Sequence, residues 1–311
     1  MLIHNLIGVR ILILGKDGML GKDLVRAFGK EDLIALGFAD LDITDRNAVF
    51  EKFMTIQPDV VINATGYTNV DLAEKEEIKA DEVNGLSVGV LAQAAREIDA
   101  TLVHFSSDYV FDGQKVKGYK EEDKTNPINA YGRGKELGEK LLIEEMELLY
   151  AEDDQIPEGF AAEDLPEGGK YFLIRTSWLF GKHGKNFVDT MLKLGSEQLK
   201  AGAKAKPLKV VNDQHGKPTY TVDLAEQVKW LVESHEYPSG IYHITNEKET
   251  TWFDFAKKIF DLANMPVNVV PCSSAEYVRP AARPTYSGLI NNKLPPLRPW
   301  DEALKDYIAK L

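Results

Sequence analysis

The chain has 311 residues, 44% of them apolar, enough to bury a large core in one elaborated domain or two. A formal net charge of −12 argues against a basic nucleic-acid face or attraction to anionic lipid, which leaves a small molecule as the expected partner. The single cysteine, Cys272, can form no internal disulfide, so a reducing compartment is expected, and no apolar run approaches the roughly 20 residues needed to cross a bilayer.

The N-terminal stretch "MLIHNLIGVRILILG" places Arg10 just before its densest apolar run and is followed by no small-residue cleavage site, so it reads as a first strand in a cytoplasmic protein. Near-continuous Val/Ile/Leu runs recur at 9–15, 33–38, 59–65, 101–107 and 171–181, as in strands covered on both faces. Helical-period segments lie between them at 20–28, 45–57, 81–98 and 130–147. This alternation predicts an α/β fold, a Rossmann-type doubly wound parallel sheet. The acidic stretch 151–169, with its prolines and glycines, reads as a loop inserted before the fifth strand. After about residue 181 the pattern loosens into shorter elements, read as a smaller C-terminal substrate-binding lobe, part of which is free to return to the first domain.

Directly after the first strand comes Gly15-Lys16-Asp17-Gly18-Met19-Leu20-Gly21, then a helical pattern. Glycines at a strand-to-helix turn permit a tight bend and aim helix N–H groups at a pyrophosphate, so Gly15, Gly18, Met19, Leu20 and Gly21 are dinucleotide-binding candidates. The bland alternative is a glycine-rich turn that only packs the helix. A P-loop is disfavoured, because five residues separate Gly15 from Gly21 and Asp23 stands where Ser or Thr is needed. The second strand ends "GFADLDITD", offering Asp40 and Asp42 for a ribose, with Ile43 beside them and no Arg or Lys in the stretch to meet a 2′-phosphate. That tips the expectation towards NADH over NADPH, although helix capping accounts equally well for any one aspartate.

The fourth strand ends "HFSSDYVFDG", which puts Ser106, Ser107 and Asp108 at a carboxyl end, where open α/β sheets bind ligands. On the next helix Tyr131 and Lys135 are four residues apart and share a face. A neighbouring ammonium favours phenolate, so Lys135 is expected to lower the Tyr131 pKa for acid-base work, with Ser107 sharing the substrate oxygen. Gly132 and Gly134 cost that helix about 1 kcal/mol each, a cost expected to reflect close approach of a cofactor to the backbone.

These motifs, with "NATGYTNVDLAEKE" (63–76), "RTSWLFG" (175–181), "NDQHGKPTY" (212–220) and "RPAARPTYSGLIN" (279–291), resemble the dTDP-4-dehydrorhamnose reductase family of the extended short-chain dehydrogenase/reductase superfamily over nearly the whole chain. The resemblance implies NAD(P)H-dependent reduction of the C4 ketone of a dTDP-linked sugar. Tyr131 would be the proton donor, Lys135 would hold the nicotinamide ribose, and Ser107 would take the supporting hydroxyl position. Ala64, Thr65 and Gly66 would line the cofactor, and Asp108, Trp178, Gln214 and Arg283 would lie along the sugar nucleotide. Members often use a divalent metal at a dimer interface, whose ligands have no residue-by-residue match here, so the metal and the homodimer stay open. The chain departs from the family in the 151–169 insertion and in Phe38, where many members have arginine.

Rival readings remain. The stretch Gly85-Leu86-Ser87-Val88-Gly89 fits a nucleophile elbow but lacks the strand that motif needs before it. Asn63-Ala64-Thr65 fits a glycosylation sequon inside an apolar strand. Arg279 and Arg283 suit a diphosphate clamp or a plain surface role. A dehydratase or epimerase of the same superfamily is one alternative, though Tyr109 stands where dehydratases have glutamate. A non-catalytic regulatory subunit like that of methionine adenosyltransferase is another.

Overall fold

The computed structural model describes residues 8–29, 31–147 and 168–311, so the expected 151–169 loop lies outside the described residues apart from Gly168 and Gly169. The first half runs β1 (Arg10–Leu14), α1 (Met19–Ala27), β2 (Asp32–Leu36), α2 (Arg46–Ile56), β3 (Val60–Asn63), α3 (Val70–Ala73), α4 (Glu77–Asp81), α5 (Ser87–Glu97), β4 (Thr101–Ser107) and α6 (Ala130–Glu147). Then come β5 (Tyr171–Thr176), β6 (Leu179–Phe180), α7 (Phe187–Ala201), β7 (Leu208–Val211), β8 (His215–Gly216), β9 (Thr219–Tyr220) and α8 (Thr221–Ser234). The chain ends with β10 (Gly240–His243), β11 (Thr250–Thr251), α9 (Trp252–Leu262), β12 (Val269–Cys272) and α10 (Trp300–Ile308).

Six strands form one parallel sheet in the order β10-β5-β4-β3-β1-β2. Strand order reverses between β1 and β3, so the crevice that doubly wound sheets offer to ligands opens at their carboxyl ends. The strands are apolar on both faces because each face is covered. Ile11, Ile13, Phe105 and Ile174 pack against Leu24 of α1 and Leu224 and Val228 of α8. On the other face Leu12, Leu14, Leu102 and Leu173 meet Phe53 of α2, Leu91 of α5 and Leu142 of α6. Each fully buried side chain of this kind contributes about 1.5–3 kcal/mol, so sheet and helices form as one unit.

The expected boundary near residue 181 is crossed again, since α8 and β10 rejoin the sheet domain. The remaining C-terminal elements form a second core around Phe180, Tyr220, Phe255, Trp300 and Tyr307. The stretch before Gly85 is helical, ending in a π-helical turn (Glu82–Leu86) that runs straight into α5, so the nucleophile-elbow geometry is absent there.

Candidate active site

The carboxyl ends of β1, β3, β4 and β5 open into a cleft of about 930 Å³. Gly15 lies in the left-handed region (φ +85°), and a Cβ there would come within 2.8 Å of Ala64 O. A Cβ on Gly21 would come within 2.0 Å of Gly15 O, so only glycine lets β1 turn flush into α1. Gly18 begins α1 with no side-chain cap, which leaves first-turn N–H groups for an anion in the cleft. Gly15, Gly18, Met19 and Leu20 line the cleft, and Gly21 lies beneath the turn. The residues present therefore fit a dinucleotide diphosphate.

At the end of β2 the cleft wall is Phe38, Leu41, Asp42, Ile43 and Thr44. Asp42 Oδ1 accepts from the Thr44 N–H (3.0 Å) and hydroxyl (2.8 Å), while Asp45 caps α2 through the Ala48 N–H. The expectation that no cation lies near this end is corrected. Lys16, from the turn after β1, places its ammonium 2.6 Å from Asp40 Oδ2 and holds that carboxyl below the usual carboxylate range. The pairing joins residues 24 apart, which a search along the β2 stretch alone does not see.

The loop after β3 is held by two asparagines. Asn63 Oδ1 accepts from the Thr65 N–H (3.1 Å) and hydroxyl (2.6 Å), and its amide meets His104 Nδ1 at 3.0 Å. His104 is buried, and burial, then the Lys135 charge, push its pKa far down, so it is a neutral hydrogen-bonding partner. Asn84, on the π-helical turn, accepts from Tyr67 N–H (2.8 Å) and donates to Tyr67 O (2.9 Å). Ala64, Thr65 and Gly66 thereby form a fixed wall of the cleft.

Ser107, Asp108, Tyr131 and Lys135 meet at the end of β4 and the start of α6, all lining the cleft. The Ser107 hydroxyl donates to Asp108 Oδ1 (2.9 Å) and its oxygen accepts from the Tyr109 N–H (3.2 Å). Burial pushes the Tyr131 phenol up to about 12; the neighbouring Ser107 hydroxyl acts against this and the Asp108 charge adds to it. Lysine does not act as expected from the four-residue spacing. Its ammonium donates to Phe105 O (2.9 Å), and burial lowers its pKa to about 8 against the pull of Glu139. The helix glycines also have a different cause from the one expected. A Cβ on Gly132 would come within 2.1 Å of Tyr109 O, and one on Gly134 within 3.0 Å of Asp81 Oδ1 and 3.3 Å of Ala80 O. They let α6 pack against its own protein neighbours.

Trp178 lines the opposite wall in a left-handed conformation (φ +47°), its ring stacked on Trp252 at 3.5 Å between centroids. A bulky residue held there is strained, as at ligand-contacting positions. Gln214 and Arg283 do not line the cleft. Gln214 Nε2 donates to Ser274 Oγ (2.8 Å). Arg283 and Arg279 both pair with Asp71 at 2.5 Å; burial alone would raise that carboxyl, but the two guanidiniums hold it well below its usual range. Cys272 is buried with its thiol pKa pushed up by burial, which disfavours a reactive thiolate.

Residue-level reading did not single out Thr176, Trp252 or the Asn63–His104 and Asn84 supports. Thr176 Oγ1 and Ser106 Oγ are buried in the cleft lining with no hydrogen-bond partner among the described residues, as a polar ligand site requires. Thr176 sits inside the "RTSW" motif, which was a signal for it; Trp252 had none. Among the described residues no group of three or more His, Cys, Asp and Glu side chains could hold a metal, and no helix is long and apolar enough to cross a membrane.

Comparison with known proteins agrees with this geometry. A family model described as the RmlD substrate binding domain matches residues 9–151 and 162–311. The dTDP-4-dehydrorhamnose reductase of Aggregatibacter actinomycetemcomitans is 37% identical over 96% of this chain and 98% of its own. The spore coat polysaccharide biosynthesis protein SpsK of Bacillus subtilis is 35% identical over 97% of each chain. The crystal structure of the dTDP-4-dehydrorhamnose reductase of Bacillus anthracis in complex with NADP superposes with a TM-score of 0.84, at 36% identity over 97% of this chain and 99% of that one. With both lobes matched, the chain belongs to the dTDP-4-dehydrorhamnose reductase family.

Proposed function

We propose that the protein reduces the C4 ketone of dTDP-4-dehydro-L-rhamnose to give dTDP-L-rhamnose, using a reduced nicotinamide cofactor. The observation that carries this reading is the convergence of Tyr131, Ser107 and Lys135 at one end of a cleft that begins at the Gly15–Leu20 turn. When bound, the cofactor supplies the hydride. The chain's own groups do the rest. The Tyr131 phenol, with its pKa pushed up to about 12, is protonated at neutral pH and donates to the oxygen of the reduced carbonyl. Ser107 adds a hydrogen bond at the same oxygen. Lys135, fixed on Phe105 O, supplies positive charge and a donor for a ribose hydroxyl. Trp178 and Asp108 flank the sugar.

Lys16 and Asp40 support use of both cofactors, with Asp40 accepting from a ribose hydroxyl and Lys16 meeting a 2′-phosphate. The dehydratase alternative is disfavoured by Tyr109. Its phenol is pushed above the ordinary range by burial and then by the Asp108 charge, so it offers no base. The regulatory-subunit alternative leaves the assembled Ser107–Tyr131–Lys135 group without a task.

The test is oxidation of NADH or NADPH by purified protein given dTDP-4-dehydrorhamnose, wild type against Tyr131→Phe. Loss of the proton donor should lower kcat by about 10²–10⁴. Equal slow oxidation by both would overturn the reductase reading.

A further inference from the structure

The backbone of Trp178 is anchored on both sides of its left-handed conformation (φ +47°). The Ser177 hydroxyl donates to Lys217 O (2.7 Å), and the Thr219 N–H donates to Trp178 O (3.2 Å). These bonds hold the main chain but leave the side-chain torsions of the indole free. Two contacts settle the ring. Trp252 lies against it, 3.5 Å between centroids and 8° between planes, and Gly216 of β8 passes so close that a Cβ there would come within 2.6 Å of the ring.

Trp252 is placed by elements outside the cleft. It opens α9 immediately after β11, which pairs antiparallel with β8 so that Thr250 faces Gly216 and Thr251 faces His215. The Thr251 hydroxyl caps α9 by accepting from the Asp254 N–H (3.1 Å), and it meets Asn212 Oδ1 at 2.8 Å. Phe187 of α7 packs on Trp252 with 4.6 Å between ring centroids. Trp178 lines the cleft and Trp252 does not, so the stack supports Trp178 from behind and leaves its cleft side for a ligand.

We propose that Trp252 is a positioning residue for the reduction, acting through Trp178 by holding that indole as a fixed wall against the sugar. This rests on the reading that Trp178 flanks the sugar of the substrate. A tryptophan in the left-handed region has a strained main chain to relax and several staggered side-chain states to visit. A parallel aromatic partner favours one of those states by about two- to twelvefold. The favoured state is the one that presents the wall, so loss of the partner lowers apparent affinity for the sugar nucleotide by the same factor. The cofactor, whose diphosphate belongs at the Gly15–Leu20 turn, is not held by this ring.

The experiment measures KM for dTDP-4-dehydrorhamnose, and the dissociation constant of NADH by calorimetry, in Trp252→Leu, Trp252→Phe, Trp178→Ala and the double variant of Trp252→Leu with Trp178→Ala. Leucine fills apolar space beside Phe187 but presents no flat face, so KM should rise about two- to twelvefold with the NADH constant unchanged. Phenylalanine keeps a flat ring and should restore most of the loss. In the Trp178→Ala background Trp252→Leu should raise KM no further, because the ring it positions is gone. An unchanged KM in Trp252→Leu, an additive rise in the double variant, or an equal weakening of NADH overturns the proposal. If Trp252→Leu does not fold, Gly216→Ala displaces the same ring from its other contact and should raise the same KM; no rise there overturns the proposal as well. Absence of turnover in wild type fails the reductase reading and this proposal with it, whereas normal turnover in wild type with an unchanged KM in the variants fails this proposal alone.

Discussion

Replacing Glu139 with glutamine isolates a buried charge directly beneath the site. Arg175 Nε and Nη2 donate to the two Glu139 oxygens at 2.9 and 2.6 Å, and the side chains are 3% and 4% exposed. Glutamine keeps the volume and one acceptor but removes the negative charge. The Arg175 guanidinium is left with Glu121 O at 3.3 Å and the Phe111 ring at 5.0 Å. Breaking a buried pair from one side costs about 3–5 kcal/mol, a large share of the ~5–15 kcal/mol that holds a domain folded. Changing both partners to apolar residues, Glu139→Leu with Arg175→Met, removes both desolvation penalties and should recover most of the loss. Urea unfolding followed by circular dichroism at pH 7 measures each variant. A Glu139→Gln loss below about 1 kcal/mol, or a double variant as unstable as the sum of the single ones, would refute the reasoning. The Glu139 charge also raises the Lys135 pKa, so the same substitution should move the lysine further below about 8.

Lys16→Ala should weaken NADPH binding about tenfold more than NADH binding, read as dissociation constants by quenching of protein fluorescence, since one charge-assisted hydrogen bond to phosphate contributes about 1.5–3 kcal/mol; equal effects on both cofactors would remove Lys16 from the 2′-phosphate site. Asp108 should also mark the stability profile. Its folded pKa of about 6 lies above the ordinary 3.8, so the folded state holds the proton more tightly. Stability is therefore lost as pH rises from about 4 to 6, by up to about 3 kcal/mol. Asp108→Asn should be more stable than wild type at pH 7.5 and not at pH 4, as judged by urea midpoints; the opposite order would show that the carboxylate is welcomed by its surroundings.

The linear order of residues was sufficient for the sheet and for much of the site. Apolar runs of strand length alternate with helical periods, and period and burial are local consequences of side-chain type, so the Rossmann-type sheet and the Gly15–Gly21 turn could be read directly. Tyr131 and Lys135 could be placed on one helical face, and Ser107 at a strand's end, by the same local geometry. What linear order does not carry is contact between distant segments. Lys16 finds Asp40, Trp252 stacks under Trp178, and Arg283 turns to Asp71, each through packing of separate elements. The electrostatics belong to the tertiary structure for the same reason. A tyrosine four residues from a lysine reads as an acidified phenol, yet burial raises its pKa, and the ammonium that should lower it is bound to the carbonyl of Phe105 on a neighbouring strand. Desolvation depends on everything packed around a group, and that is settled only when the chain has closed over it.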